Sequence, residues 1–110
     1  LKTFVFDYRG TLDSLEDPHA FLVKLRMKNP ESYFILYSGC VKAEIEKERP
    51  GLFGAFDLYL PKPESLRDAV TASGTIIYVD DDVMMRNMAS RLFKGRCVLL
   101  SPSAIQSLLE

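Results

Sequence analysis

The chain has 110 residues, of which 47% are hydrophobic and 26% charged, and this composition predicts one globular domain over residues 1–110. Its net charge of −1 gives no electrostatic reason to expect binding to nucleic acid or to an anionic membrane. No apolar run approaches the roughly 18 residues that span a bilayer. The two cysteines lack the spacing of a zinc site or a disulfide framework, so we expect reduced thiols and a cytoplasmic location.

Along the chain, short apolar segments alternate with longer amphipathic ones, and proline or glycine marks most of the boundaries. In chain order we predict strand 2–6, helix 18–28, strand 33–37, helix 41–49, strand 56–60, helix 63–73, strand 75–79, helix 83–94, strand 97–100 and helix 101–109. Ser101 is the expected N-cap of the last helix. Strands that are apolar at consecutive positions are covered on both faces. The order therefore predicts a parallel sheet between helices, in a three-layer α/β sandwich.

Polar side chains follow four of the predicted strands, at the point where each strand ends. They are Asp7, Ser38, Lys62 and the acidic triplet 80–82. Because the carboxyl ends of parallel strands meet at one edge of a sheet, we expect these groups to lie together. Clustered carboxylates need a cation between them, their hard oxygens favour Mg²⁺, and a lysine and a serine suit phosphate oxygens. Taken singly, each residue also has a structural explanation, and the triplet is suited to capping the helix that follows it.

These four positions, in this order, resemble the motifs of the haloacid dehalogenase (HAD) superfamily. The counterparts are Asp7 with Gly10 and Thr11 in FVFDYRGTL, Ser38 in YFILYSG, Lys62 in LPKPE, and Asp80 with Asp81 in IIYVDDD. The resemblance extends over about residues 3–100, which is nearly the whole chain. It implies a Rossmann-like, five-stranded parallel sheet with the strand order 3-2-1-4-5. A response-regulator receiver also carries acids and a lysine on such a sheet, but at different strands.

The resemblance also implies a role for each site residue, with Mg²⁺ as cofactor and a phosphorylated substrate as partner. Asp7 is expected to be the nucleophile that forms an aspartyl phosphate. The expected residues are Asp7, Arg9 and Lys62 for catalysis, Ser38, Gly39 and Lys62 for phosphate binding, and Asp7, Arg9 (through its backbone carbonyl), Asp81 and Asp82 for the metal.

Two positions depart from the pattern of the family. Arg9 stands where the family has an aspartate that works as general acid and base, and arginine cannot exchange protons near neutral pH. Met85 stands about where a further acid is usual in the fourth motif. The first interpretation is therefore an HAD-like phosphohydrolase with weak or altered activity.

Two alternatives stay open at this point. In one, the chain is a catalytically silent or phospho-accepting HAD-like domain for binding or regulation, and Arg9 pairs with Asp81 or Asp82 in place of the metal. In the other, Asp7 hydrolyses a carbon–halogen bond without a metal. Binding of Mg²⁺ discriminates between the first interpretation and these alternatives.

The segments that follow Asp7 and Ser38 are too short to hold a cap domain of either kind known in the family. An uncapped chain resembles the members that act on large substrates, so the expected phosphorylated substrate includes macromolecules. The apolar stretch 51–60 surrounds the expected edge strand, where exposed apolar residues invite pairing. We expect this stretch to pack into the core, and a homodimer through the 51–60 edge is the alternative.

Overall fold

The framework of the structure is a five-stranded sheet in which all strands run parallel. The computed structural model describes residues 1–70 and 74–110. The strands are β1 Lys2–Phe6, β2 Tyr33–Ser38, β3 Leu58–Pro61, β4 Thr75–Val79 and β5 Cys97–Leu100. Their spatial order is β3-β2-β1-β4-β5, which confirms the predicted order 3-2-1-4-5 and puts β1 at the centre.

Helices cover both faces of this sheet. The α-helices are α1 Pro18–Lys28, α2 Lys42–Glu48, α3 Leu66–Ala69 and α4 Val83–Leu92, and 3₁₀ segments occupy Leu12–Ser14, Leu52–Ala55 and Pro102–Leu109. Side chains of β1 alternate between the faces: Phe4 and Phe6 pack in the layer of α1, and Val5 packs in the layer of α3 and α4. The predicted three-layer α/β sandwich is confirmed, and no cap domain is present among the described residues.

The stretch 51–60 packs against the core on both faces of the sheet. Its apolar residues up to Phe56, together with Tyr59, pack on the α1 side, whereas Leu58 and Leu60 pack on the side of α3 and α4. Leu52 is fully buried, the Phe56 ring centroid lies 6.4 Å from that of Phe6, and the Phe53 ring lies 5.5 Å from that of Tyr59. Edge-to-face geometry of this kind is favourable between aromatic rings. The core interpretation of this stretch is therefore confirmed.

Several predicted elements differ from the observed ones in their bounds, and the largest differences are in β3 and α3. Strand β3 begins later than predicted because Asp57 turns its carboxylate to the Phe34 amide, at 2.8 Å, before the ladder starts. Helix α3 begins only after Ser65, whose hydroxyl accepts a hydrogen bond from the Asp68 amide. The predicted end of that helix at residue 73 lies outside the described residues.

The last predicted helix is a 3₁₀ helix, and the hydroxyl of Ser101 bonds another serine side chain and does not cap it. Helix α4 agrees with the prediction at its start and ends two residues early, before Gly95 with φ +81°. Among the described residues, no helix is both long enough and apolar enough to cross a membrane.

Candidate active site at the carboxyl edge of the sheet

The register of the sheet brings the predicted site residues to one edge. The last residue of β1 is level with the last residue of β4, so Asp7 and Asp80 both follow directly at the same height. Ser38 is level with the last residue of β3, and Lys62 comes next. The backbone continues the ladder at these positions, because the Asp7 amide donates to the Val79 carbonyl at 3.0 Å. Asp7, Ser38, Lys62 and Asp80 are therefore held by strand pairing rather than by a free loop.

Lys62 joins the two buried carboxylates of this edge. Its Nζ lies 3.1 Å from Oδ1 of Asp7 and 2.9 Å from Oδ2 of Asp80. Asp7 is 6% exposed and Asp80 is fully buried. Removing carboxylates from water is costly unless a counter-charge and hydrogen bonds replace the lost hydration, and Lys62 supplies both to each acid.

Asp80 is the most completely bonded acid of the site. Its Oδ2 accepts from the Tyr78 hydroxyl at 2.8 Å as well as from Lys62, and its Oδ1 accepts from the Asp82 amide at 3.0 Å. The fourth motif pointed to Asp80 and Asp81, but no sequence signal predicted the Tyr78 contact. Asp80 thus acts as an anchor for Lys62.

The three carboxylates of Asp7, Asp80 and Asp81 form a group that fits a metal ion. One oxygen from each lies within 4.8 Å of the other two. Gly10 makes this approach possible, since its φ is +80° and a Cβ there would overlap the Asp81 carboxylate. Carboxylate oxygens are the hard ligands that Mg²⁺ prefers, so the donor set suits this cation.

Among the described residues, Asp82 does not belong to that group of carboxylates. Its Oδ1 accepts a hydrogen bond from the Met84 amide at 2.9 Å and caps α4. The helix-cap explanation of the triplet therefore applies to its third residue. Met85, which stands where a further acid is usual in the fourth motif, is partly buried and packs against the core on the α4 side.

The proton affinity of Asp7 is strongly changed by its surroundings. Burial, together with the neighbouring Asp80 carboxylate, raises the pKa of Asp7 from 3.8 to about 7, although Lys62 acts in the opposite direction. Burial alone would lower the pKa of Lys62, but its bonds to Asp80 and Asp7 outweigh burial and raise it. Lys62 therefore stays an ammonium group near neutral pH. Asp7, without a bound cation, is about half protonated there. A cation beside Asp7 would favour its charged form.

Arg9 points away from the carboxylate group and towards α2. Its two terminal nitrogens contact the two oxygens of Glu48 at 2.9 and 3.0 Å, and Asp13 lies 3.2 Å away. The Tyr8 hydroxyl also donates to Glu48, at 2.8 Å. A planar guanidinium matches a carboxylate in this two-point arrangement. The side chain of Arg9 therefore does not take the place of a metal between Asp81 and Asp82, and Lys62 is the cation that the structure puts among the acids.

The phosphate-binding candidates Ser38 and Gly39 lie at the end of β2 on the same edge. Ser38 is almost fully buried, and its hydroxyl accepts a hydrogen bond from the Cys40 amide at 3.0 Å. Gly39 has open space where a side chain would project. Thr11, whose hydroxyl lies 3.4 Å from Oδ2 of Asp7, is buried beside the nucleophile candidate. These contacts leave the Ser38 proton available to a ligand, because the hydroxyl is only an acceptor in this bond.

No known protein family, curated protein or solved structure matches this chain.

Proposed function

We propose that the chain is an HAD-like, Mg²⁺-dependent phosphohydrolase that works through an aspartyl phosphate on Asp7 and has a slow second step. The observation that carries this proposal is the joined set of Asp7, Lys62 and Asp80, with Asp81 as a third carboxylate beside them. A buried acid with a raised pKa, bonded to a lysine at the carboxyl edge of a parallel sheet, is typical of a reaction centre.

In the first step, a carboxylate oxygen of Asp7 attacks the phosphorus of the substrate. The bond between phosphorus and the leaving oxygen breaks, and the leaving group departs with the electron pair. Lys62 holds Oδ1 of Asp7 at 3.1 Å, so its ammonium lies next to the attacking group and to the charge of the phosphoryl oxygens. Ser38 would donate its free hydroxyl proton to the phosphate, and Gly39 leaves room for it.

In the second step, a water oxygen attacks the same phosphorus, the bond to Asp7 breaks, and one water proton has to pass to a base. Arg9 occupies the family's position for that base, and its guanidinium is bonded to Glu48 and stays protonated. Loss of a general acid or base typically costs on the order of 10²–10⁴-fold in rate. The aspartyl phosphate would therefore accumulate, and turnover would be slow.

The residues that would hold Mg²⁺ are Asp7, Asp81 and the backbone carbonyl of Arg9, with Asp80 beside them. Bound there, the cation would neutralise the carboxylates and polarise the phosphoryl oxygens. The same charge would lower the pKa of Asp7 and keep the nucleophile ionised near neutral pH.

The alternative function is a phospho-accepting or catalytically silent regulatory domain. One observation favours it: Lys62 pairs with both buried acids and the Arg9 side chain is paired with Glu48, so part of the acidic charge is balanced without a metal ion and no general base stands at position 9. Carbon–halogen hydrolysis by Asp7 is the weakest of the three, because that chemistry needs an enclosed site and residues 1–70 and 74–110 form no cap over this edge.

The open edge also suits a phosphorylated macromolecule as substrate, and free thiols at Cys40 and Cys97 suit the reducing cytoplasm as location. A homodimer through the 51–60 edge remains a proposal for the exposed flank of β3. Sedimentation of the purified chain at several concentrations tests that proposal directly.

The deciding experiment is a rapid-mix reaction with para-nitrophenyl phosphate, with and without Mg²⁺. Its leaving group departs without a general acid, so the first step is observed on its own. We expect a Mg²⁺-dependent burst of about one equivalent of nitrophenol, followed by slow turnover, because each Asp7 is used once before water regenerates it. Asp7→Asn should abolish the burst. Asp68→Asn, which removes an exposed carboxylate of α3, is the control and should keep it.

A burst of the same size in Asp7→Asn would contradict the proposed nucleophile. Absence of both burst and turnover in the wild type, together with absence of Mg²⁺ binding in calorimetry, would favour the silent regulatory domain. Fast steady turnover would mean that another group replaces the missing base.

A further inference from the structure

Tyr78 is a buried side chain whose hydroxyl bonds directly to the candidate site. It lies on β4, two residues before Asp80, and is 1% exposed. Its hydroxyl donates to Oδ2 of Asp80 at 2.8 Å. Burial and the Asp80 charge raise the pKa of Tyr78, so its hydroxyl stays a donor. A buried phenol cannot touch a substrate in an open site, and any effect on the reaction has to pass through Asp80.

Asp80 connects the Tyr78 hydroxyl to Lys62 through shared hydrogen bonds. Oδ2 of Asp80 receives the Tyr78 hydroxyl and the Lys62 ammonium together, at 2.8 and 2.9 Å. The tyrosine ring belongs to the core cluster of the α4 face and cannot move without repacking that core. The fixed hydroxyl therefore sets where Oδ2 lies, and Oδ2 sets where the flexible lysine ends.

We propose that Tyr78 is a positioning residue that holds the Asp80 carboxylate, and through it the Lys62 ammonium, in place beside Asp7. This inference rests on the proposed function for its effect on rate, and on geometry alone for its effect on Lys62. Groups that orient a charged residue from outside a site commonly change activity by about 10- to 100-fold when removed.

The test compares two substitutions that each remove one buried hydroxyl. Tyr78→Phe removes the donor to Asp80. Tyr37→Phe is the matched control, because Tyr37 is also buried on a strand of the same core cluster and its hydroxyl donates at 2.8 Å to the backbone carbonyl of Glu64. Both variants keep the aromatic ring, so core packing is equally preserved.

Two measurements are made on wild type and on both variants. The first is the rate of the para-nitrophenyl phosphate burst, which we expect to fall about 10- to 100-fold in Tyr78→Phe and to stay within about twofold in Tyr37→Phe. The second is the ¹⁵N resonance of the Lys62 ammonium, assigned by its absence in Lys62→Met. We expect a larger shift in Tyr78→Phe than in Tyr37→Phe, because Lys62 shares its acceptor with the Tyr78 phenol, whereas the Tyr37 ring, 5.7 Å from Nζ of Lys62, is kept in the control.

An unchanged lysine resonance and an unchanged burst in Tyr78→Phe would overturn the inference, and so would equal effects of the two substitutions. If the wild type shows neither burst nor turnover, the proposed function fails, while the lysine resonance still decides the positioning role. If Tyr78→Phe does not fold, 3-fluorotyrosine at position 78 replaces it. Its ¹⁹F signal should shift on Asp80→Asn while the same label at Tyr8 stays constant, and an unmoved label at position 78 would overturn the inference.

Discussion

Replacing Asp7 with asparagine should stabilise the fold, and the gain should grow with pH. The folded chain binds a proton at Asp7 more tightly than the unfolded chain does, because the pKa rises from 3.8 to about 7 on folding. Stability is therefore highest below the unfolded pKa and falls as pH rises through the interval between the two values. Asparagine has a similar shape, carries no charge and removes this dependence.

The size of the effect follows from the two pKa values. Each tenfold difference in proton affinity corresponds to about 1.4 kcal/mol, so the whole interval is worth roughly 4 kcal/mol. Between about pH 5 and about pH 8, the free energy of unfolding of the wild type should fall by about 3 kcal/mol through Asp7, and this loss should be absent in Asp7→Asn. That is a large share of the 5–15 kcal/mol that is typical for the stability of a domain.

The assay is urea unfolding of both proteins at a series of pH values, with EDTA present to remove divalent cations. The gap between the two free energies of unfolding should widen as pH rises from 3.8 to about 7 and should level off above that. Asp68→Asn is again the control, and its curve should stay parallel to that of the wild type. Parallel curves for wild type and Asp7→Asn would refute the reasoning, because they would mean that Asp7 keeps an ordinary proton affinity in the folded chain.

Three further results are expected from the same geometry. Lys62→Met should abolish the burst and destabilise the fold by about 3 kcal/mol in urea unfolding, because it leaves buried acids without their counter-charge; a neutral effect would contradict this. Gly10→Ala should destabilise the fold more than Gly51→Ala in the same assay. The φ angles are +80° at Gly10 and +84° at Gly51, but only at Gly10 would a Cβ overlap the Asp81 carboxylate. Equal losses of stability would therefore count against the close approach of Asp81 to Gly10. Arg9→Asp should increase steady turnover by about 100-fold or more if the missing base limits the second step, and unchanged turnover would assign the slow step elsewhere.

Much of the fold could be read from local signals. The bounds of β1, α1, β4 and β5 agree with the prediction, because the three strands are strongly apolar segments and α1 lies between the clear breaks at Pro18 and Pro30. Strand β3 was misjudged because the apolar Phe56 belongs to the core without belonging to the ladder. Helix α3 begins later than predicted because the residues after Lys62 form a loop. Hydrophobic periodicity does not indicate where such a loop ends.

The candidate site was predictable in its backbone positions and less so in its contacts. Strand order alone brings Asp7, Lys62 and Asp80 to one edge. The direction of Arg9 could not be read, because it depends on Glu48, which lies 39 residues away. The bond from Tyr78 to Asp80 was missed for a related reason: a tyrosine in an apolar strand looks like core, and only the structure shows where its hydroxyl lies.

The central place of β1 has a consequence for how the chain is made. Of the five strands described, β1 is synthesised before the others, yet one of its two neighbours is β4, where Thr3 pairs with Ile76. Until residues 75–81 have left the ribosome, one edge of β1 has no partner, and Asp7 lacks Asp80 and Asp81. That edge presents unpaired backbone N–H and C=O groups. The pairing of β4 with β1 therefore closes the centre of the sheet and completes the acidic group in one event.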